Sequence, residues 1–259
     1  MQILRDEQVK YWITDRASGI FNAQECAAPA EMAKTCDVVI VFGGDGTMLD
    51  AVGHFAPANV PLFGINSGKI GFLTELDHAA QEEQLRDAIG RILRGVYTIE
   101  QRTMLQAECN GKKYYALNEF LLSSTDNCHI VTVRVEIDGT LADRIRCDGV
   151  MVATPTGSTA YSLSCGGPVL SPSVRSLILN TVCPHSLHSV PVVISDESRV
   201  VLSVSNGGTQ LTYDGKIAER FRDPVRVEIQ KNAFDARFVR IEKDNFYQRL
   251  LQKLSYWGE

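Results

Sequence analysis

No apolar run in this 259-residue chain approaches the ~18–20 residues needed to cross a bilayer, so a helical membrane protein is not expected. The opening MQILRDEQVK is too charged for the apolar stretch of a secretory signal. Seven cysteines make an odd number without dense spacing. That pattern excludes a secreted disulfide scaffold and points to reduced thiols in the cytoplasm. An excess of positive charge is also missing: 26 Lys and Arg stand against 31 Asp and Glu, with no basic block. A nucleic-acid surface carries such an excess, so neither nucleic acid nor membrane is expected as a partner. Any anion must be held locally, in a shaped site. Repeats and low-complexity tracts are absent too. With 44% hydrophobic and 22% charged residues, the composition is that of a globular protein and leaves out disorder, collagen and coiled coil. The length allows one large domain or two modest ones.

What is present has two textures. Up to residue 98, short β-branched runs alternate with helical stretches. DVVIVF (37–42) ends in glycines, as a buried parallel strand does, and VPLFGIN (60–66) is a second such run. Residues 47–55 between them can form one helix, giving a β-α-β unit. EEQLRDAIGRILRG (82–95) sets Leu85, Ile89, Ile92 and Leu93 on one helical face, with Gly95 as its C-terminal cap. From about Tyr97 to Glu242 strands dominate. YTIEQRTMLQAEC, KKYYALNEFLLSS, IVTVRVEIDG, SRVVLSVSNGG and ARFVRIE alternate with period two, and IDGT (137–140) reads as a hairpin turn. Only SPSVRSLILN predicts a short helix in this stretch. The final NFYQRLLQKLSYW (245–257) is amphipathic through Phe246, Leu250, Leu251 and Leu254, and packing back on the first domain is one way to bury that stripe. The expected architecture is an α/β domain with a parallel sheet over 1–98 plus 245–259, and a β-rich domain over 99–244. The C-terminal helix packs back on the first domain.

Four segments carry chemistry. FGGDGTMLDA (42–51) leaves an apolar strand through glycines and enters a helix. Glycines let a ligand approach the backbone, and a helix N-terminus offers N–H groups to phosphate. Asp45 could merely cap that helix. Three glycines around one acid exceed what a cap needs, and a carboxylate beside phosphate makes electrostatic sense only if it holds metal or takes a proton. The G-K-[ST] ending of a Walker A loop is missing. INSGKIGFLTEL (65–76) also leaves a strand; Lys69 and backbone N–H groups could hold anions and Phe72 could face a ring, or the segment is an ordinary turn with a solvated lysine and a core phenylalanine. In LNEFLL (117–122), Asn118 and Glu119 interrupt an apolar stretch. An amide beside an acid can read a purine edge and ribose hydroxyls together, and the alternative is a polar pair at a strand edge.

The fourth segment, RCDGVMVATPTGSTAYSLSCGGPVLSP (146–172), gathers Asp148, Thr154, Thr156, Ser158, Thr159, Tyr161, Ser162 and Ser164 among four glycines. Hydroxyls and glycine amides suit a sugar-phosphate, and Tyr161 suits a flat heterocycle. CPHSLH (183–188) lacks the second ligand pair of a zinc site. His129 alone reads as a surface histidine, one of Arg144 and Arg146 could simply balance nearby acids, and turn chemistry explains Asp214 and Gly215 in YDGK.

GGDGT at 43–47, Asn118-Glu119, DGVMVATPTGSTAYSLSCGGP at 148–168 and PHSL at 184–187 together resemble, in order and spacing, the NAD kinases of bacterial type. INSGKIGFLT at 65–74 resembles that family's segment after its second core strand. GGDGT alone is shared with diacylglycerol and sphingosine kinases and more loosely with phosphofructokinases, whereas TPTGSTAY is much more specific to NAD kinases and decides the resemblance. The resemblance implies transfer of the γ-phosphate of ATP, or of polyphosphate, to the 2′-hydroxyl of the adenosine ribose of NAD, giving NADP. It implies a divalent metal ion (Mg²⁺, carried by ATP), a dinucleotide held between an α/β and a β-rich domain, and a homo-oligomer, dimer or tetramer. Carried over by matching position, Asp45 is the proton acceptor and Gly46 lies against the substrate. Lys69 and Phe72 fall in the segment after the second strand. Asn118 and Glu119 bind the nucleoside. Asp148 and the run Thr159, Ala160, Tyr161, Ser162, Leu163, Ser164 contact the dinucleotide, with Arg146 and His129 at matching positions. Lys216 stands where many relatives carry Gln. Relatives usually open with a strand and helix ahead of the segment matching YWIT. Here one short strand, Lys10 to Thr14, fits before Asp37, so either the chain begins late or that unit is absent. The alternatives are a lipid kinase, which calls for an apolar acceptor cleft, and a non-catalytic dinucleotide-binding protein, against which the intact Asp45 argues.

Overall fold

The β-branched runs form strands and the periodic stretches form helices. A computed structural model describes residues 2–14, 26–68, 71–76, 82–125, 130–186, 189–205, 208–242 and 246–256. The chain divides into two compact units, Met1–Gln101 with Ala236–Glu259, and Arg102–Asp235. It opens with α1 (Gln2–Asp6), a two-stranded parallel pair β1 (Ile13–Thr14) and β2 (Cys26–Ala27), and α2 (Pro29–Thr35). Then come β3 (Val39–Phe42), α3 (Asp45–Phe55), β4 (Leu62–Ile65), α4 (Glu82–Leu93) and β5 (Thr98–Arg102). β3 and β4 pair in parallel, Val39 opposite Leu62 through Phe42 opposite Ile65.

Residues of β4 alternate between the two faces of that sheet. Phe63 and Ile65 join Ala88 of α4 in one buried cluster. On the other face, a side chain at Gly64 would run into the Met48 sulfur of α3. Gly95 ends α4 at φ 70°, donating its N–H to Ile92 as a C-terminal cap does. Leu93, read as part of the apolar face, is exposed.

The second unit is a sandwich of two six-stranded antiparallel sheets. Its elements are β6 (Leu105–Cys109), β7 (Lys112–Ala116), β8 (Glu119–Ser124), β9 (Val131–Ile137), β10 (Thr140–Cys147), β11 (Gly149–Ala153), α5 (Tyr161–Ser164), β12 (Ser176–Val182), β13 (Val192–Ser195), β14 (Val200–Val204), β15 (Thr209–Tyr213), β16 (Lys216–Phe221) and β17 (Val225–Lys231). One sheet runs β10-β9-β14-β17-β6-β7 and the other β13-β12-β11-β8-β15-β16. Inward residues of both, including Val133, Leu202 and Val227 from the first and Phe120, Val150 and Leu211 from the second, share one core. The Asp138-Gly139 turn takes positive φ at both positions, the backbone that suits a tight hairpin.

The chain then returns to the first unit through β18 (Ala236–Arg240), which lies between β4 and β5 and pairs in parallel with β4. α6 (Phe246–Tyr256) follows, and its contacts with the 71–75 segment pack it back on this unit.

Three readings change. SPSVRSLILN is no helix: Ser176–Val182 is a strand between β11 and β13. Burial of Ser176 through Thr181 without a break erases the alternation that marks a half-exposed strand. ARFVRIE is a strand as read, yet it joins the parallel sheet; alternation marks a strand and says nothing of its partner. KKYYALNEFLLSS breaks at Leu117-Asn118 into β7 and β8, which belong to different sheets.

Candidate active site

In the first unit, β3 and β4 end side by side, and the segments leaving their carboxyl ends meet. Ligands of parallel α/β sheets bind at such ends. Asp45 is the first residue of α3, yet its carboxylate does not cap that helix; the N-cap is Gly44, without a side-chain bond. Instead Oδ2 accepts the Phe72 N–H at 3.0 Å and Oδ1 the Leu73 N–H at 3.0 Å. That segment is anchored to the end of β4: Glu75 N–H donates to the Gly64 carbonyl and Asn66 N–H to that of Leu76. Gly71 is required by contact. A side chain there would overlap Asp45 Oδ1.

A third donor reaches Asp45 from α6. Lys253 Nζ lies 3.2 Å from Oδ2 and 4.2 Å from the centroid of the Phe72 ring. Arg249 on the same helix donates to the Thr74 carbonyl at 2.9 Å and to Glu75 Oε2 at 3.3 Å. Phe72 is buried, with Phe246 beside its ring. The lysine covers one face of this ring. Asp45 itself is 31% exposed.

In the second unit, the Leu117-Asn118 break between β7 and β8 is held by an acid that turn chemistry alone does not explain. Asp214, at φ 46° in its turn, accepts N–H groups from Leu117 at 2.9 Å, Asn118 at 2.7 Å and Glu119 at 3.4 Å. Burial pushes the Asp214 carboxyl up in pKa, and these three donors oppose the rise. Glu119 is buried, and among the described residues its Oε2 has no hydrogen-bond partner. Burial first, and the charge of Asp214 second, raise its pKa from 4.5 to about 8. A buried acid without a partner is costly.

The TPTGSTAY segment packs on the same break. Thr154 N–H donates to the Asn118 carbonyl at 2.8 Å and Thr154 Oγ1 to that of Leu117 at 2.6 Å. A side chain on Gly157 would overlap the Asn118 carbonyl. Many of the hydroxyls serve the turn itself: Ser158 bonds Pro155 and Leu170, and the buried Ser162 faces the Asn180 amide. Thr159 is half-buried, with Oγ1 bonded to the Thr156 carbonyl at 3.2 Å. Ser164 and Tyr161 are exposed, Ala160 and Leu163 half-buried. Burial and then the charges of Cys165, Cys183, Asp148 and Glu119 push the Tyr161 phenol upward. The Tyr161 phenol thus lies within electrostatic reach of Asp148 and Glu119.

Both halves of the chain match one family. Residues 5–97 match the ATP-NAD kinase N-terminal domain and residues 117–241 the ATP-NAD kinase C-terminal domain. An NAD kinase of Desulforamulus reducens is 34% identical over 98% of this chain and 90% of its own length. The chain belongs to the ATP-NAD kinase family. An NAD kinase of Carboxydothermus hydrogenoformans is 36% identical over 92% of this chain and 86% of its own. The crystal structure of an NAD kinase from Archaeoglobus fulgidus in complex with ATP aligns with TM-score 0.77 at 27% identity, covering 98% of this chain and 92% of that one. Yeast NADH kinase complexed with NADH aligns with TM-score 0.84 over 93% of this chain and 76% of that one; at 23% identity it speaks for the fold alone.

Of the remaining candidates drawn from the family resemblance, Arg146 is exposed on β10 and Lys216 exposed at the start of β16, its charge acting on Asp214. Lys69 and His129 lie outside the described residues, as does His188. Sequence reasoning missed Asp214, Arg249 and Lys253. A DG turn gave no hint that its acid caps a distant backbone, and two cations on a polar helical face look solvated.

Proposed function

We propose that this chain is an NAD kinase that transfers the γ-phosphate of ATP to the 2′-hydroxyl of the adenosine ribose of NAD, giving NADP. The match runs through both family domains, not GGDGT alone, which sets the lipid-kinase reading aside. The observation that carries the reading is Glu119 Oε2, a buried oxygen without a partner among the described residues. It sits on a backbone turn whose three N–H groups already serve Asp214. With its pKa at about 8, Glu119 carries a proton at neutral pH and can both donate to and accept from ribose hydroxyls. Asn118 reads the adenine edge beside it, and Asp148, Tyr161 and the exposed part of the 159–164 run contact the dinucleotide. Arg146 and Lys216 supply charge at its phosphates, with Lys69 and His129 proposed from the resemblance alone.

Asp45 takes the proton of the attacking 2′-hydroxyl. The two backbone N–H groups on its carboxylate fix its orientation, so the acceptor oxygen needs no search at the moment of transfer. Gly46 gives the substrate close approach beside it. Among the described residues no three His, Cys, Asp or Glu side chains gather as a metal cage. The divalent ion that this reading calls for would arrive on the phosphates of ATP as part of the substrate, where it would offset their charge.

A cytoplasmic location belongs to the same proposal, supported by six described cysteines that are free thiols. So does a homo-oligomer, dimer or tetramer. The edge strand β13 leaves Val192 and Val193 exposed, with Val190 just before it, an apolar edge that a second copy would cover.

The deciding assay gives purified protein NAD, ATP and Mg²⁺ and reads NADP with an NADP-specific dehydrogenase. Parallel arms replace ATP by polyphosphate, NAD by NADH, and NAD by diacylglycerol or sphingosine with labelled γ-phosphate. Label in lipid with none in NADP would reverse the assignment.

A further inference from the structure

α6 turns one face to the Asp45 loop. Phe246, Arg249 and Lys253 recur at helical spacing along it, and each meets the loop or the acid. The Phe246 ring lies 6.1 Å from that of Phe72. Arg249 holds the Thr74 carbonyl and Glu75. Lys253 stands between Asp45 and the Phe72 ring, its side chain 22% exposed. Leu251, which the apolar stripe would turn inward, is 67% exposed. The helix is therefore rotated to bring its cations, not all its leucines, toward the acid.

We propose that Lys253 is the cation that receives the transferring phosphoryl group, held on Asp45 in the free chain and passing to the γ-phosphate when ATP binds. This rests on the reading of Asp45 as proton acceptor. A hydroxyl giving its proton to Asp45 sits about 2.7 Å from the carboxylate, and the same oxygen attacks phosphorus. The oxygens of that phosphoryl group consequently lie within a few ångström of the carboxylate. An ammonium already 3.2 Å from Oδ2 reaches them by side-chain rotation alone, with α6 still anchored through Arg249 and Phe246.

The handover also clears the base. Oδ2 accepts both the Phe72 N–H and the Lys253 ammonium, so departure of the lysine frees a lone pair as the 2′-hydroxyl arrives. In the step, the 2′-O–H proton passes to Asp45 and an O–P bond forms. The bond from the γ-phosphorus to the bridging oxygen breaks, and ADP leaves with that electron pair. Lys253 remains protonated and neutralises charge on the phosphoryl oxygens, the chief demand of such a transition state.

The test uses the full chain as Lys253→Met, Lys253→Gln and Lys253→Arg, with kcat and KM for ATP and NAD taken separately and ATP and ADP binding measured by calorimetry. Loss of the cation lowers kcat by about 10²–10³, raises KM for ATP several-fold, and removes the preference for ATP over ADP. The NAD-induced rise in melting temperature stays as in wild type, and Lys253→Arg recovers most of the rate. The Gln variant serves if Met disturbs docking of α6. Turnover within about threefold of wild type in the Met or Gln variant, with the ATP-to-ADP affinity ratio unchanged, overturns the proposal. Failure of the Asp45 reading looks different: Asp45→Asn then stays active, while the dependence of that ratio on Lys253 persists and still supports the lysine's contact with the γ-phosphate.

Discussion

Asp214 and Glu119 hold each other by a reciprocal pair of hydrogen bonds, one between main chains and one to the Asp214 carboxylate. The Asp214 N–H donates to the Glu119 carbonyl at 3.2 Å, and the Glu119 N–H donates back to Asp214 Oδ1 at 3.4 Å. One acid sets the backbone that presents the other. Asp214 is thus a positioning residue for Asn118 and Glu119, although it falls in a hairpin turn whose local chemistry needs no further explanation.

Asp214→Ala strips the acceptor from three backbone N–H groups. Leaving a buried donor unpaired costs about 1–3 kcal/mol, and water will recover part of the sum. Urea unfolding should show a loss of about 2–4 kcal/mol by the same reasoning, with KM for NAD raised about tenfold or more. A stable variant with unchanged KM removes Asp214 from the positioning role.

The pH dependence follows from the sign of the Glu119 shift. Its folded pKa, about 8, lies above the ordinary 4.5. Between those values the native chain keeps a proton that the unfolded chain has released, so stability falls as pH rises from about 4.5 to 8. The raised Asp214 carboxyl acts in the same direction. Glu119→Gln should flatten this slope and exceed wild type in stability at pH 8 by a few kcal/mol, an order of magnitude set by ~1.4 kcal/mol per unit. Melts from pH 5 to 9 test it, and parallel slopes in both proteins would refute the buried-acid account.

Asp45→Asn keeps one acceptor oxygen but sets an amide NH₂ against a loop N–H and the Lys253 ammonium. Loss of a general base costs about 10²–10⁴ in rate, and NADP formation should drop by that factor. The NAD-induced rise in melting temperature should largely remain, because this substitution alters only the contact with the 2′-hydroxyl and leaves the groups assigned to the rest of the dinucleotide in place. Turnover within a few-fold of wild type would mean Asp45 is not the base.

Gly46→Ala separates stability from function. Gly46 lies in the first turn of α3, and a side chain there meets nothing within 4 Å. Alanine in a helix is favoured over glycine by about 0.5–1 kcal/mol, so the melting temperature should rise slightly. A methyl group beside Asp45 would crowd the substrate, and NADP formation should fall about tenfold or more. A stabilised variant with full turnover means that nothing binds against Gly46.

Much was determined by the sequence alone. The β-branched run into GGDGT, the period-two strands and the TPTGSTAY segment specify an α/β unit, a β-rich unit and the family, because those signals are local: periodicity, turn glycines and residue order need no partner. The bend at Leu117-Asn118 inside KKYYALNEFLLSS and the strand hidden in SPSVRSLILN needed the fold, since burial on both faces or a change of sheet leaves no periodic trace. Tertiary structure alone decided that Ala236–Arg240 enters the parallel sheet, that Asp214 holds the turn bearing Glu119, and that Lys253 reaches Asp45 across 208 positions of sequence. Such contacts join groups far apart in the chain, and their energy comes from burial and charge pairing that exist only once both segments are folded.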